Sequence, residues 1–189
     1  MFIQQSKENS NLFYWQGRHC VLVTGTEHYG SVINRSFDYL SYLDMLQQYG
    51  FNLTRLFLFY REQPSGVSGL EDDGTAFSEV GIQNTLAPGK DSYVAPWLRS
   101  DVPGCFDGGN KFDLTRPNPE YDARLLHFVR EAGRRGIAVE VVFFSQYYSA
   151  GDCGPWKVSP LNGINNINGV GQIAYHEATS LRDEGTVKT

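Results

Sequence analysis

A parallel α/β architecture is predicted for this 189-residue chain. Three features predict it: apolar strand-like runs alternate with amphipathic helical ones, glycine closes each helix just before the next strand, and long loops follow the strands. The clearest unit is Asn118 to Phe144, "NPEYDARLLHFVREAGRRGIAVEVVFF". Asn118 is a good N-cap, Pro119 loses nothing at the first helical position, and Glu120 puts a negative charge on the positive end of the helix dipole. Tyr121, Leu125, Phe128, Val129 and Ala132 recur at helical spacing on one face. Gly136 then supplies the left-handed cap, and Ile137 to Phe144 is almost wholly β-branched or aromatic, the pattern of a strand covered on both faces.

The preceding elements follow the same logic. Phe13-Tyr14-Trp15 and Arg18-His19 predict a short hairpin turning at Gln16-Gly17 and leading into Cys20 to Val23 as a first core strand. Asn34 or Ser36 can cap a helix running through Tyr49 with Tyr39, Leu43 and Leu46 in one stripe, closed by Gly50. Leu53 to Tyr60, "LTRLFLFY", is the second apolar strand. Between Tyr60 and Arg116, and again from Ser145 to about Gly171, the chain runs through long segments rich in Gly, Pro, Asp and Asn. Both leave the C-terminal ends of strands, the side on which α/β proteins build their sites, whereas the turns at Gly50 and Gly136 are minimal.

Composition bounds the function. A hydrophobic content of 41% supports one globular domain, and a net charge of -5 argues against a nucleic-acid or anionic-membrane surface. No apolar run is long enough to span a membrane, and Met1 to Asn11 is polar and does not read as an export signal, so the default expectation is a cytoplasmic protein. Cys20, Cys105 and Cys153 have neither CxxC nor His-paired spacing, so no metal site is indicated, although Cys105 and Cys153 have the option of pairing if exported. The first strand-to-helix turn, "GTEHYGSVIN", holds no phosphate-binding glycine motif, and no G-x-S-x-G elbow occurs. No cofactor is expected. What remains at the strand ends is Glu27, His28 and Tyr29 after the first strand, Arg55 inside the second, and an Asn-rich loop after the third.

The segments "GTEHYGSVIN", "GFNLTRLF", "NTLAP", "PWLRSDVPG", "GGNKFDL", "EYDARLLHFV", "AGRRGIAVEVVFF" and "SPLNGINNINGVG" together resemble a cellulase-like group of glycoside hydrolases with (β/α)8 barrels. The resemblance runs from Phe13 onward. After the tail and hairpin read over residues 1–19, it implies over 20–189 an incomplete TIM barrel of three βα units with long loops at the C-terminal ends of the strands. It also implies hydrolysis of O-glycosidic bonds by two glutamates at the ends of the fourth and seventh strands. No "NE" motif is present, so both carboxylates are expected beyond Thr189 and no catalytic residue is assigned. A chain of this kind is expected to be inactive alone and to self-associate through its open edges. A non-catalytic carbohydrate-binding protein and an inactive truncated gene product are the alternatives.

The implied substrate-side residues each have a structural alternative. Arg55 either pairs with Glu140 on the third strand or orients a catalytic carboxylate. Glu27 and His28 either meet sugar hydroxyls or fix the first loop, and Tyr29 beside them is expected on the substrate side. Trp97 and Trp156 offer flat faces for pyranose rings, or anchor their loops. Asn165 and Asn166 carry donors and acceptors suited to hydroxyls, yet Asn-Gly runs also make turns.

Overall fold

The computed structural model describes residues 3–25, 28–62, 68–70, 76–78, 85–89, 91–145, 155–174 and 178. Strand β1 (Gln4–Gln5), β2 (Phe13–Trp15) and β3 (Arg18–Cys20) form an antiparallel sheet at the start of the chain. Its tight turn places Gln16 at φ 49 and Gly17 at φ 81, the paired positive values that match the twist of a two-residue hairpin.

Helix α1 (Tyr39–Gln48) is capped by Asp38, whose side chain accepts from the Leu40 and Ser41 N–H groups. Asn34 and Ser36, the expected caps, lie four and two residues too early. The hydrogen bonds from Ser41 hold the Asp38 carboxyl below its ordinary range. Helix α2 (Pro119–Arg134) starts on Asn118, which accepts from Glu120 N–H, and the chain turns away at Gly136 with φ 71. It buries Tyr121, Phe128 and Ala132, while Val129 of the expected stripe stays exposed.

Strands β4 (Leu53–Phe57) and β9 (Ala138–Val142) pair in parallel, Leu53 opposite Ala138 and Arg55 opposite Glu140. Both helices cover one face of this ribbon. The Tyr42 and Thr54 hydroxyls bond at 2.8 Å from α1, and Tyr121 of α2 donates to Leu58 O at 3.2 Å. The core gathers Leu43, Leu46, Leu56, Leu58, Phe128 and Ile137 between them. The segment between β4 and α2 contains two antiparallel ribbons, β5 (Ser68–Leu70) with β6 (Ala76–Ser78) and β7 (Trp97–Pro103) with β8 (Asn110–Pro117). A short helix, α3 (Pro155–Val158), opens the Asn-rich loop.

These elements overturn the expected partial (β/α)8 barrel of three βα units. Among the described residues the only parallel pair of strands is the β4–β9 ribbon, with one isolated parallel bridge between Phe112 and Asn166, and the other sheets are small and antiparallel. The missing strand is the first. Val21 and Val23 are 58% and 45% exposed, so the run from Cys20 to Val23 buries little. Asn52 also takes up its backbone: the side chain accepts from Val23 N–H and donates to Val21 O, while Asn52 N–H and Leu53 N–H both go to Val23 O. One amide side chain thereby substitutes for the start of a ladder, and among the described residues no third strand is added to the ribbon.

Candidate functional site

Period-two alternation along β4 sends Thr54, Leu56 and Leu58 under the helices and leaves Arg55, Phe57 and Phe59 half-buried on the opposite face. Glu140 lies beside Arg55 on the parallel strand, with Arg55 Nε 3.0 Å from Glu140 Oε2. Tyr29 lies flat on Phe57, with ring centres 4.6 Å apart and planes at 4°, and Phe57 N–H donates to Tyr29 O. The Arg55 guanidinium is 5.9 Å from the Tyr29 ring centre. Further along, Phe59 is the middle of an aromatic row: Trp97 of β7 stacks on it at 5.4 Å, and Phe144 leans on it at 5.6 Å. Phe143 and Phe144 are 60% and 61% exposed at the C-terminal end of β9. The result is a polar ion pair at one end of an open face and an aromatic row at the other.

Of the residues implicated by sequence, Tyr29, Arg55 and Trp97 meet on this face. Glu27 lies outside the described residues. His28 packs instead beside α1, its ring 4.7 Å from Phe37 and 4.9 Å from Tyr42, and burial lowers its pKa. Trp156 is 3% exposed with Nε1 donating to Ile173 O, the geometry of a loop anchor. Asn165 is fully buried: Nδ2 donates to Lys157 O and Ser159 O, and Oδ1 accepts from Phe106 N–H and Cys105 Sγ. Asn166 Nδ2 donates to Pro160 O, Asn162 O and Val170 O, while Oδ1 accepts from Asn168 and Val170 N–H. Both amides are spent holding their loop. Phe57, Phe59 and Phe144 were missed, although their alternation with Arg55 and Glu140 in "LTRLFLFY" and "VEVVFF" carried the signal.

A charge cluster lies two residues beyond Trp97 on β7. Asp107, in the turn between β7 and β8, receives Arg61 Nη1 at 2.7 Å and Arg99 Nη2 at 2.6 Å. Arg61 is 1% exposed, lies 4.1 Å over the Tyr93 ring and donates to Pro88 O. Burial would raise the Asp107 pKa, but hydrogen bonds from Arg99 and Arg61 outweigh it and hold the carboxyl far below the usual carboxylate range. Arg99 lies 4.2 Å over Phe112, and a Cβ at Gly109 would come within 2.8 Å of its Nη1, pressing on the end of Arg99 that Asp107 holds. Burial pushes the nearby Cys105 thiol up, which leaves it a poor nucleophile.

Elsewhere, Gln4, Gln5, Lys7, Glu8, Tyr14 and His19 line a shallow depression of about 320 Å³ on the first sheet. Among the described residues no group of His, Cys, Asp and Glu is placed to hold a metal ion, and no helix is long and apolar enough to cross a membrane. Comparison with known proteins finds no matching family model, curated protein or solved structure.

Proposed function

We propose that this chain binds a carbohydrate through the open face of the β4–β9 ribbon and belongs to a cellulase-like glycoside hydrolase. The observation that carries the reading is the row Trp97, Phe59 and Phe144 beside the Arg55–Glu140 pair. The C–H faces of a pyranose ring are apolar and pack on aromatic rings, while its hydroxyls need donors and acceptors at the rim, and this face offers both. The sequence resemblance supports the same class independently of the geometry.

A binding role without hydrolysis is the second reading, and one feature favours it for this chain. Glycoside hydrolysis uses two carboxyl groups about 5 to 9 Å apart, one of them free to carry a proton. Among the described residues of the open face Glu140 is the one carboxylate, and it is engaged by Arg55. Calorimetric titration of cello- and xylo-oligosaccharides, run alongside a chromogenic aryl-glycoside assay, separates the readings. Saturable binding that weakens in Trp97→Ala and Phe144→Ala supports the carbohydrate role, and turnover in addition supports the hydrolase. Binding unchanged in both variants, or none at all, refutes the role of this face.

A further inference from the structure

We infer that Glu140, by holding Arg55, makes the open face select uncharged polyhydroxylated saccharides over anionic and cationic ones. The inference rests on the carbohydrate reading above. The two side chains are partners in register on neighbouring strands, 3.0 Å apart at Arg55 Nε and Glu140 Oε2, and remain 38% and 45% exposed. They are therefore accessible to a ligand lying on the face. Arg55 Nε is covered and makes no hydrogen bond of good geometry, so its contact with Glu140 is a charge pair, and the guanidinium nitrogens are donors only. An ionised Glu140 is acceptor only. A donor next to an acceptor matches vicinal hydroxyls, each of which donates and accepts.

Charge decides what is rejected. The pair sums to zero, and Arg61, farther along the same segment, is already committed to Asp107. Rows two residues apart on a strand are separated by about 6 to 7 Å, within the Debye length of about 8 Å at physiological salt, so a charge over Phe57 senses both members of the pair. A uronate gains from Arg55 what it loses to Glu140, and can form a bidentate contact only by displacing Glu140. An ammonium on an amino sugar meets the mirror-image problem. Neither recovers its lost hydration.

The test uses the full chain, with a neutral cello-oligosaccharide, an oligogalacturonate and a chitosan oligosaccharide as probes. Wild type is expected to bind the neutral probe best. Glu140→Gln keeps the shape, frees Arg55, and is expected to raise oligogalacturonate affinity roughly fivefold relative to the neutral probe. Arg55→Gln is expected to move the chitosan oligosaccharide in the same sense, which keeps the inference testable if one variant folds poorly. A purely structural ion pair would alter stability and leave these ratios alone. Wild-type preference for either charged probe, or ratios unchanged in both variants, overturns the inference while leaving carbohydrate binding intact. Failure of all three probes to bind overturns the carbohydrate reading and the inference with it.

Discussion

Asp107 and Arg61 meet at 2.7 Å with side chains 6% and 1% exposed, and their ion pair joins the β7–β8 ribbon to the end of the central parallel pair. Arg99 completes the cluster from the ribbon's own first strand. Trp97 sits two residues before Arg99 and stacks on Phe59, so this cluster, in which Arg61 and Asp107 are buried, anchors the strand that carries Trp97 to the aromatic row.

Removing Asp107 is therefore expected to be costly. Asp107→Ala leaves two guanidinium groups without their counter-ion, one of them fully buried, and the expected loss is about 3 to 5 kcal/mol of unfolding free energy. Urea denaturation with matched fluorescence and circular dichroism measures it. A loss under about 1 kcal/mol would mean that the cluster behaves like an exposed pair.

The same carboxyl fixes an acid dependence. Its folded pKa is depressed below the unfolded value of about 3.9, so its contribution is fully present above that value and is lost as pH falls through the folded pKa. Wild type is expected to lose stability below about pH 4 more steeply than Asp107→Asn, which has no such group to titrate. Parallel slopes in the two proteins would assign the acid sensitivity elsewhere.

Trp97 and Trp156 are expected to behave oppositely. Trp156→Ala empties a buried site and breaks the bond to Ile173 O, with an expected cost of about 3 to 5 kcal/mol. Trp97→Ala removes a half-buried ring, with an expected smaller cost and a larger loss of oligosaccharide binding. Thermal melts and titrations on both variants read the contrast. Equal destabilisation with equal binding loss would erase the distinction between anchor and platform.

Asn165→Ala is expected to loosen the Asn-rich loop. It strands the Phe106 N–H and the carbonyls of Lys157 and Ser159, each unmade bond costing about 1 to 3 kcal/mol. Hydrogen exchange at Phe106 should accelerate. Unchanged protection there would show that the amide is dispensable.

Local signals were legible in the sequence, and long-range pairings were not. Asn118, Pro119 and Gly136 bound α2 because caps act on neighbours within a turn. Three polar residues, Asn34, Ser36 and Asp38, compete at the start of α1, and the one adjacent to the helix took the role. Of the two alternatives for Arg55, the pair with Glu140 forms. The strand expected over Cys20 to Val23 failed because an apolar run does not say whether anything covers it, and Asn52 supplied its hydrogen bonds instead. Ribbon β7–β8 was unreadable because its register shifts between Trp97 and Arg99 and again before Pro103, which breaks the period-two pattern. Asn165 and Asn166 looked like ligand amides since composition cannot reveal that backbone carbonyls already occupy them.

The most direct test of the central claim uses the indole N–H resonances of the three tryptophans, Trp15, Trp97 and Trp156, during titration with a neutral oligosaccharide. Carbohydrate binding on the open face is expected to shift the Trp97 indole together with the Arg55 side-chain signals, while Trp15 and Trp156 stay still. Saturable shifts confined to Trp15 or Trp156, or no shift at Trp97 at saturating ligand, would contradict it.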